Sequence, residues 1–290
     1  MNPVMNITPR TSLRTLFAFL ALLTATTAAH AQVILTGNGS YTQTFSQSEI
    51  SSSITIATAT TYTWTDNTSI VGWYSILPGT ANTQVITTNM GAQLGNGLYL
   101  ARQGGTSAAL AIRRSDTSTA FAAFGVRFLN NTGKEITALD ISYLAQQWQK
   151  NSGNDTLDFQ YAIGATSLND ELVTWIDHNA LDVPTFTLAA NETTKNQTTT
   201  PDHTTPAYSG TRSSSITGLS IADGQTFWLR WVDRNIDGVE QALSVDNFNL
   251  TVTFASPPPT VPEPAAYALV IALLSLAGCA LHRSRRIRQN

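Results

Sequence analysis

Through the middle of the chain, apolar and polar residues alternate over short stretches, and no window there holds a sustained helical period. The alternating stretches are 40–45, 61–64, 71–76, 97–102, 108–113, 120–129, 136–148, 156–163, 186–189, 227–232 and 244–254. Segments of this length, joined by connections rich in Thr, Ser, Asn and Gly, predict an all-β domain built as an antiparallel β-sandwich. Three of them carry most of the pattern. Leu139, Ile141, Tyr143 and Ala145 share one face, opposite Asp140, Ser142, Leu144, Gln146 and Trp148. Phe227, Leu229 and Trp231 share a face, opposite Trp228 and Arg230. In the last stretch Leu243 and Val245 are in one phase, whereas Phe248, Leu250, Val252 and Phe254 are in the other. A phase slip at Asp246-Asn247 predicts a β-bulge that turns Leu243 and Phe248 toward the same core.

The two ends do not share this pattern. Arg10 and Arg14 precede an apolar run from Leu16 to Leu23, and Ala29-His30-Ala31 follows, as in a secretory signal peptide cleaved between Ala31 and Gln32. At the other end stand Val261, Pro262, Glu263 and Pro264, then an uncharged run from Ala265 to Leu281, then a basic tail over 282–290 with Arg283, Arg285, Arg286 and Arg288. The prolines place the helix start after them. The apolar run lies at the short end of what spans a bilayer, and the arginines assign its far end to the cytoplasm. The expected organisation is a signal peptide over 1–31, a sandwich over 32–254, a Pro-rich linker over 255–260 and a membrane-spanning tail over 261–290.

That order of Pro-Glu-Pro motif, apolar helix and arginine stop resembles the PEP-CTERM sorting signal of exported bacterial proteins. The resemblance implies cleavage by a membrane-embedded exosortase after signal peptidase has acted, with delivery to the cell surface or the exopolysaccharide matrix. A second likeness lies within 136–254. Ile141-Ser142-Tyr143, Gln147-Trp148, Asp158-Phe159-Gln160-Tyr161-Ala162, Phe227-Trp228-Leu229-Arg230-Trp231-Val232-Asp233 and Leu243-Ser244-Val245-Asp246-Asn247-Phe248 resemble a jelly-roll module of secreted bacterial proteins. It implies a jelly-roll sandwich and brings no catalytic residues.

Charge and composition narrow the function. The whole chain carries −3, and its two ends contribute six arginines and one glutamate, so the portion between them carries −8. Such a surface argues against nucleic acid as a partner. The single cysteine, Cys279, lies in the tail, so the domain is held by its core and not by disulfides. Residues 191–205 are almost free of apolar side chains and read as a long surface loop. The best cation candidate is Asp233, Asn235 and Asp237, oxygen donors on alternate positions before Gly238, with Glu240 and Asp246 as added carboxylates for calcium. The competing reading is a polar hairpin closed at Asp237-Gly238. Catalysis has little to stand on: a serine triad would need His178, no histidine cluster offers a metal centre, and Asp158, Glu171, Asp177 and Asp233 are ordinary carboxylates in an acidic protein. Trp148 and Trp228, on the more polar phases of their strands, are the tryptophans expected to be exposed and to stack on sugar rings. The leading expectation is a non-enzymatic exported protein, structural or adhesive in an exopolysaccharide or biofilm setting. A carbohydrate-binding module comes second, and a polysaccharide-active enzyme third.

Replacing Pro262, Glu263 and Pro264 together by alanine should leave a longer, cell-retained chain, whereas the unaltered chain is released without Cys279. Intact mass of the released protein checks this, and a released form that still carries the apolar run would overturn the sorting expectation.

Overall fold

The computed structural model describes residues 32–77, 84–89, 95–102, 108–114, 122–188, 206–234, 240–256 and 264–287. Among them are fifteen strands in two sheets that face one another across a common core. One sheet, here sheet A, runs β1 (Val33–Leu35), β8 (Ala122–Asn130), β14 (Thr226–Asp233), β10 (Thr156–Ile163), β11 (Ile176–Asp177). In it β4 (Trp73–Ile76) also pairs with β8, and β12 (Val183–Pro184) with β10. Sheet B runs β13 (Ser209–Ile221), β9 (Ile136–Gln149), β15 (Ala242–Phe254), β7 (Ala109–Arg113), β6 (Gly97–Arg102), β5 (Gln84–Asn89), β3 (Thr60–Thr63), with β2 (Ser40–Gln43) also on β15.

The sandwich agrees with the alternation in the sequence, with three corrections. It is not wholly antiparallel, because β1 pairs with β8 and β5 with β6 in parallel. Residues 186–188 of the expected strand over 186–189 form none, and the nearest pairing is Thr156 with Pro184. β13 has no counterpart among the expected strands: its Ser/Thr-rich sequence offers few apolar residues to alternate, yet it forms 13 residues of edge strand. The tail folds as α1 (Pro264–Ile287), starting at a proline whose fixed φ suits a first helical turn and continuing into the arginines. No helix among the described residues is long and apolar enough to cross a membrane. The leucines of α1 are nonetheless open to solvent, Leu269 at 63% and Leu274 at 69%. Residues 1–31, 191–205, 235–239, 257–263 and 288–290 lie outside the described residues.

Inside, the expected faces are the buried ones. Leu139, Ile141, Tyr143 and Ala145 from β9 meet Phe227, Leu229 and Trp231 from β14. Trp231 is the hub: its ring stacks on Phe124 and Trp73 and takes edge contacts from Tyr143, Phe159 and Phe248. Its indole N–H donates to the Tyr143 hydroxyl at 3.0 Å, which in turn donates to the Leu181 carbonyl. Burial pushes the Tyr143 phenol far up, so that hydroxyl keeps its proton as a donor.

The predicted bulge is present. Asp246 faces Leu144 and Asn249 faces Ser142, so Asn247 and Phe248 together oppose Tyr143. Asn247 holds a positive φ of 48°, a left-handed backbone that asparagine tolerates better than most residues. Leu243 and Phe248 are both fully buried. The slip also marks a change of neighbour, because β15 pairs with β7 over Leu243–Val245 and with β2 from Phe248 on.

Asn247→Ile forces a β-branched residue into that left-handed position and should lower unfolding stability by about 1–2 kcal/mol. Asn247→Gly should stay within about 0.5 kcal/mol of the parent, and urea unfolding of both variants checks the contrast.

Candidate functional site

At one end of the sandwich the strand ends gather a buried ionisable cluster. β14 ends at Asp233, β15 follows Glu240, β10 follows Asp155, and β7 ends at Arg113, next to Arg114. All five are buried, the three carboxylic acids at 1% exposure. Arg113 Nε donates to the Glu240 carbonyl at 3.1 Å, and Asn151 Nδ2 donates to the same oxygen at 2.6 Å. Gln147 and Gln241 tie the surrounding backbone together: Gln147 Oε1 accepts from the N–H groups of Phe186 and Thr187, and Gln241 Nε2 donates to the carbonyls of Asn151 and Gly153. Burial pushes the Asp155 carboxyl up to about 7, with the Glu240 charge adding to it. Asp233 is raised further, by burial and then by Asp155 and Glu240, against the opposing pull of Arg114. The cluster is therefore held by retained protons and by two guanidinium groups.

Of the cation candidates, Asp233 and Glu240 come together here, and Asn235 and Asp237 lie outside the described residues. Asp246 sits apart at the bulge, where its carboxylate accepts from Asn247 N at 2.7 Å and burial, then Glu49, raises it to about 6. Among the described residues no group of three His, Cys, Asp or Glu side chains is arranged to hold a metal ion. Asp155 escaped the sequence reading because Asn-Asp-Thr in a polar connection looks like any solvated turn. Ser214 Oγ lies 2.8 Å from His178 Nε2, but among the described residues no carboxylate hydrogen-bonds that histidine.

The tryptophans correct a second expectation. Trp148 is 5% exposed and Trp228 1%, so neither ring is open to a ligand. Their phases are as predicted, on the outer faces of their sheets, yet each is covered. Trp148 packs with Tyr99 over a floor of alanines (Ala101, Ala109, Ala111, Ala242), and its N–H donates to Ser244 Oγ at 2.8 Å. Trp228 packs on Tyr74, Ala162, Ala165 and Leu168, and its N–H donates to the Ala165 carbonyl at 2.8 Å. A connection after β10 crosses sheet A at this point because β8 carries Gly125 there. A Cβ at Gly125 would lie 2.7 Å from Leu168 Cδ2 and 2.5 Å from the Leu229 carbonyl.

That same connection presents Trp175, the one tryptophan of six that is only partly buried. Its N–H donates to the Asp170 carbonyl at 3.0 Å, and its ring lies over the Arg230 guanidinium, 3.5 Å from Cζ to centroid. Arg230 is itself fixed. Its Nε donates to Gln160 Oε1 at 2.8 Å, Nη1 donates to the Leu168 carbonyl, and Gln160 Nε2 donates to Asp177 Oδ1 at 2.6 Å. Burial, then Arg234, lowers Arg230 to about 9. Leu172 at 96% and Ile176 at 46% exposure flank Trp175 along the chain, with Glu171, Thr174 and Asp177 also exposed. The result is an indole with its orientation set by a cation on one side and a carbonyl at its edge. Sequence phase missed it because Trp175 lies outside any regular strand.

No known family model matches the chain, and no characterised protein matches it in sequence. Among solved structures it is similar to the CBM22-1 xylan-binding domain of Xyn10C from Paenibacillus barcinonensis, at 10% identity and a TM-score of 0.36, over 76% of this chain and 99% of that one. It is also similar to CBM28, described as a module specific for non-crystalline cellulose, at 12% identity and a TM-score of 0.29, over 63% and 89%. The arabinose-bound α-L-arabinofuranosidase MgGH51 aligns at 10% identity and a TM-score of 0.31, over 77% and 30%. At these identities and scores the likenesses transfer no residue and no ligand to this chain.

The buried cluster has a pH consequence. Asp155 has a folded pKa of about 7, raised above the ordinary value near 4, so the folded state keeps a proton the unfolded chain has lost. Its contribution is thus favourable at low pH and is lost as pH rises toward 7. Asp155→Asn should raise stability at pH 7.5 by about 1–3 kcal/mol and flatten the decline between pH 5 and 7.5, as read by denaturant midpoints.

Proposed function

We propose that the chain is an exported polysaccharide-binding β-sandwich that acts at the cell surface or in the extracellular matrix, with Trp175 as the platform for a sugar ring. The observation that carries this is the accessibility of Trp175 against the burial of the other five tryptophans, combined with a ring already fixed by Arg230 and Asp170. An aromatic face offers the apolar C–H side of a pyranose a flat partner, and a ring held in place in advance loses little freedom when it binds. The exposed Leu172 and Ile176 next to it in the chain add apolar surface, and the exposed Asp177, Thr174 and Glu171 offer acceptors and donors for sugar hydroxyls. We read this surface as one that binds and does not turn over, and the acids gathered at the sandwich end are buried.

Export rests on the two ends of the sequence. The signal-peptide pattern before Gln32 supports passage through the inner membrane, and the Val261-Pro262-Glu263-Pro264 motif before α1 supports handling by an exosortase. The exposed apolar side chains of α1 give that helix a reason to be sheltered by lipid or by the sorting enzyme until it is removed.

Fluorescence titration and affinity electrophoresis against soluble xylan, mixed-linkage β-glucan and the producing cells' own exopolysaccharide test the reading. At least one of these should bind, and Trp175→Ala should weaken it tenfold or more, a loss of about 1.4 kcal/mol, with Trp175→Tyr between the two. Absence of binding to all three, or affinity untouched by Trp175→Ala, would sink it.

A further inference from the structure

We propose that the chain self-associates into a two-fold dimer by pairing the outer edge of β13, over residues 211–217, with the same strand of a second copy, so that sheet B runs on from one molecule into the other. Edges of β-sheets are normally kept short or blocked with charge, proline or a covering element. The other outer strands here obey that rule: β1 has 3 residues, β3 and β4 have 4 each, and β11 and β12 have 2 each. β13 has 13 residues, no proline, no lysine and one arginine. Among the described residues it pairs with β9 alone.

The phase of the ladder shows which groups the edge offers. Gln147 N donates to the Tyr208 carbonyl at 2.9 Å, so alternation assigns Gly210, Arg212, Ser214 and Ile216 as the residues exchanging hydrogen bonds with β9. The N–H and C=O groups of Thr211, Ser213, Ser215 and Thr217 then point outward along the edge. The side chains of these four are all exposed hydroxyls. The inward set is occupied: Arg212 lies over the Phe186 ring, Ser214 meets His178, and Ile216 is in the core. The ladder stays regular through Thr217 and breaks before Ile221, at Gly218 with its φ of 74°.

The occupant is specified by the sequence of the strand itself. Gly210-Thr211-Arg212-Ser213-Ser214-Ser215-Ile216-Thr217-Gly218 reads nearly the same in both directions. An antiparallel partner centred on Ser214 therefore sets Thr211 against Thr217 and Ser213 against Ser215. These are hydroxyl pairs of the kind that support cross-strand contact, with no like charges opposed on the outer face. The outward-pointing residues of one copy meet the outward-pointing residues of the other, as a hydrogen-bonded ladder requires. Such an interface is isologous and closes at two copies. Seven paired residues span roughly 23 Å and bury less than the ~1,000 Å² of a tight interface, so association belongs to concentrated settings such as a surface layer or matrix. The proposal stands independently of sugar binding at Trp175, which lies on sheet A.

The test is sedimentation velocity of the full chain in mild detergent from about 1 μM to about 1 mM, with amide hydrogen exchange at both extremes. The expected result is a monomer that passes to a dimer, with Ser213 and Ser215 amides gaining protection only in the dimer. Ser213→Pro removes an outward N–H that β9 does not use and should raise the midpoint concentration at least tenfold. Ser215→Lys, which keeps every backbone group, should do the same by charge if the proline variant is misfolded. In a Cys279→Ser background, mixing Thr211→Cys with Thr217→Cys chains should give a disulfide-linked heterodimer. A chain that stays monomeric to about 1 mM, or a dimer that neither edge variant weakens, overturns the proposal.

Discussion

The packing of rings around Trp231 is the contact on which the two sheets depend. One indole, contributed by β14 of sheet A, meets Phe124 and Phe159 of its own sheet and Tyr143 and Phe248 of the other, with Trp73 stacked beside it. An aromatic ring buries a large apolar area with few rotamers to lose, and edge-to-face contacts add about 0.5–1.5 kcal/mol each beyond area. With a single cysteine and so no disulfide within the chain, this cluster joins the two sheets. It also explains the bulge in β15: without the extra residue at Asn247, Phe248 would point outward and the hub would lose one wall.

A recurring solution to the polar cost of so many indoles runs through the molecule. Every tryptophan N–H has an acceptor: Trp231 has Tyr143, Trp73 has Tyr41, Trp148 has Ser244, Trp64 has Asp66, Trp228 has Ala165 and Trp175 has Asp170. Where the acceptor is a hydroxyl, it passes its own proton to a further oxygen, as Tyr41 does to Gln43 Oε1 at 2.7 Å. A buried donor left unpaired would cost about 1–3 kcal/mol, so these bonds decide that each ring takes one orientation and not several. At Trp175 the same device fixes a partly buried ring at the surface.

The ionisable cluster at the sandwich end works on different terms. Asp155, Asp233 and Glu240 repel one another if all are charged, and the fold tolerates them through protons and through Arg113 and Arg114. This is a costly way to close a sandwich. It leaves the strand ends joined by the amides of Gln147, Asn151 and Gln241 instead of by apolar contact, which makes that end sensitive to pH while the aromatic hub is indifferent to it.

What the sequence determined by itself was whatever depends on the period of side chains along one strand. The inward sets of β9 and β14 were legible because Leu139 to Ala145 and Phe227 to Trp231 alternate without interruption, and the bulge was legible because an apolar phase cannot shift by one without an extra residue. The tertiary structure decided everything that depends on what lies across from a strand. Trp148 and Trp228 stand on the polar phase, but alanines with Tyr99 in one case and a returning connection over Gly125 in the other bury them. β13 is a strand because β9 offers it a ladder, not because its serines prefer one. Asp155 joins Asp233 and Glu240 from a distant part of the chain, and no local pattern encodes a meeting of strand ends. Periodicity reports the face a residue takes within its own element, whereas exposure and charge environment are set by neighbours brought close only when the sheets close.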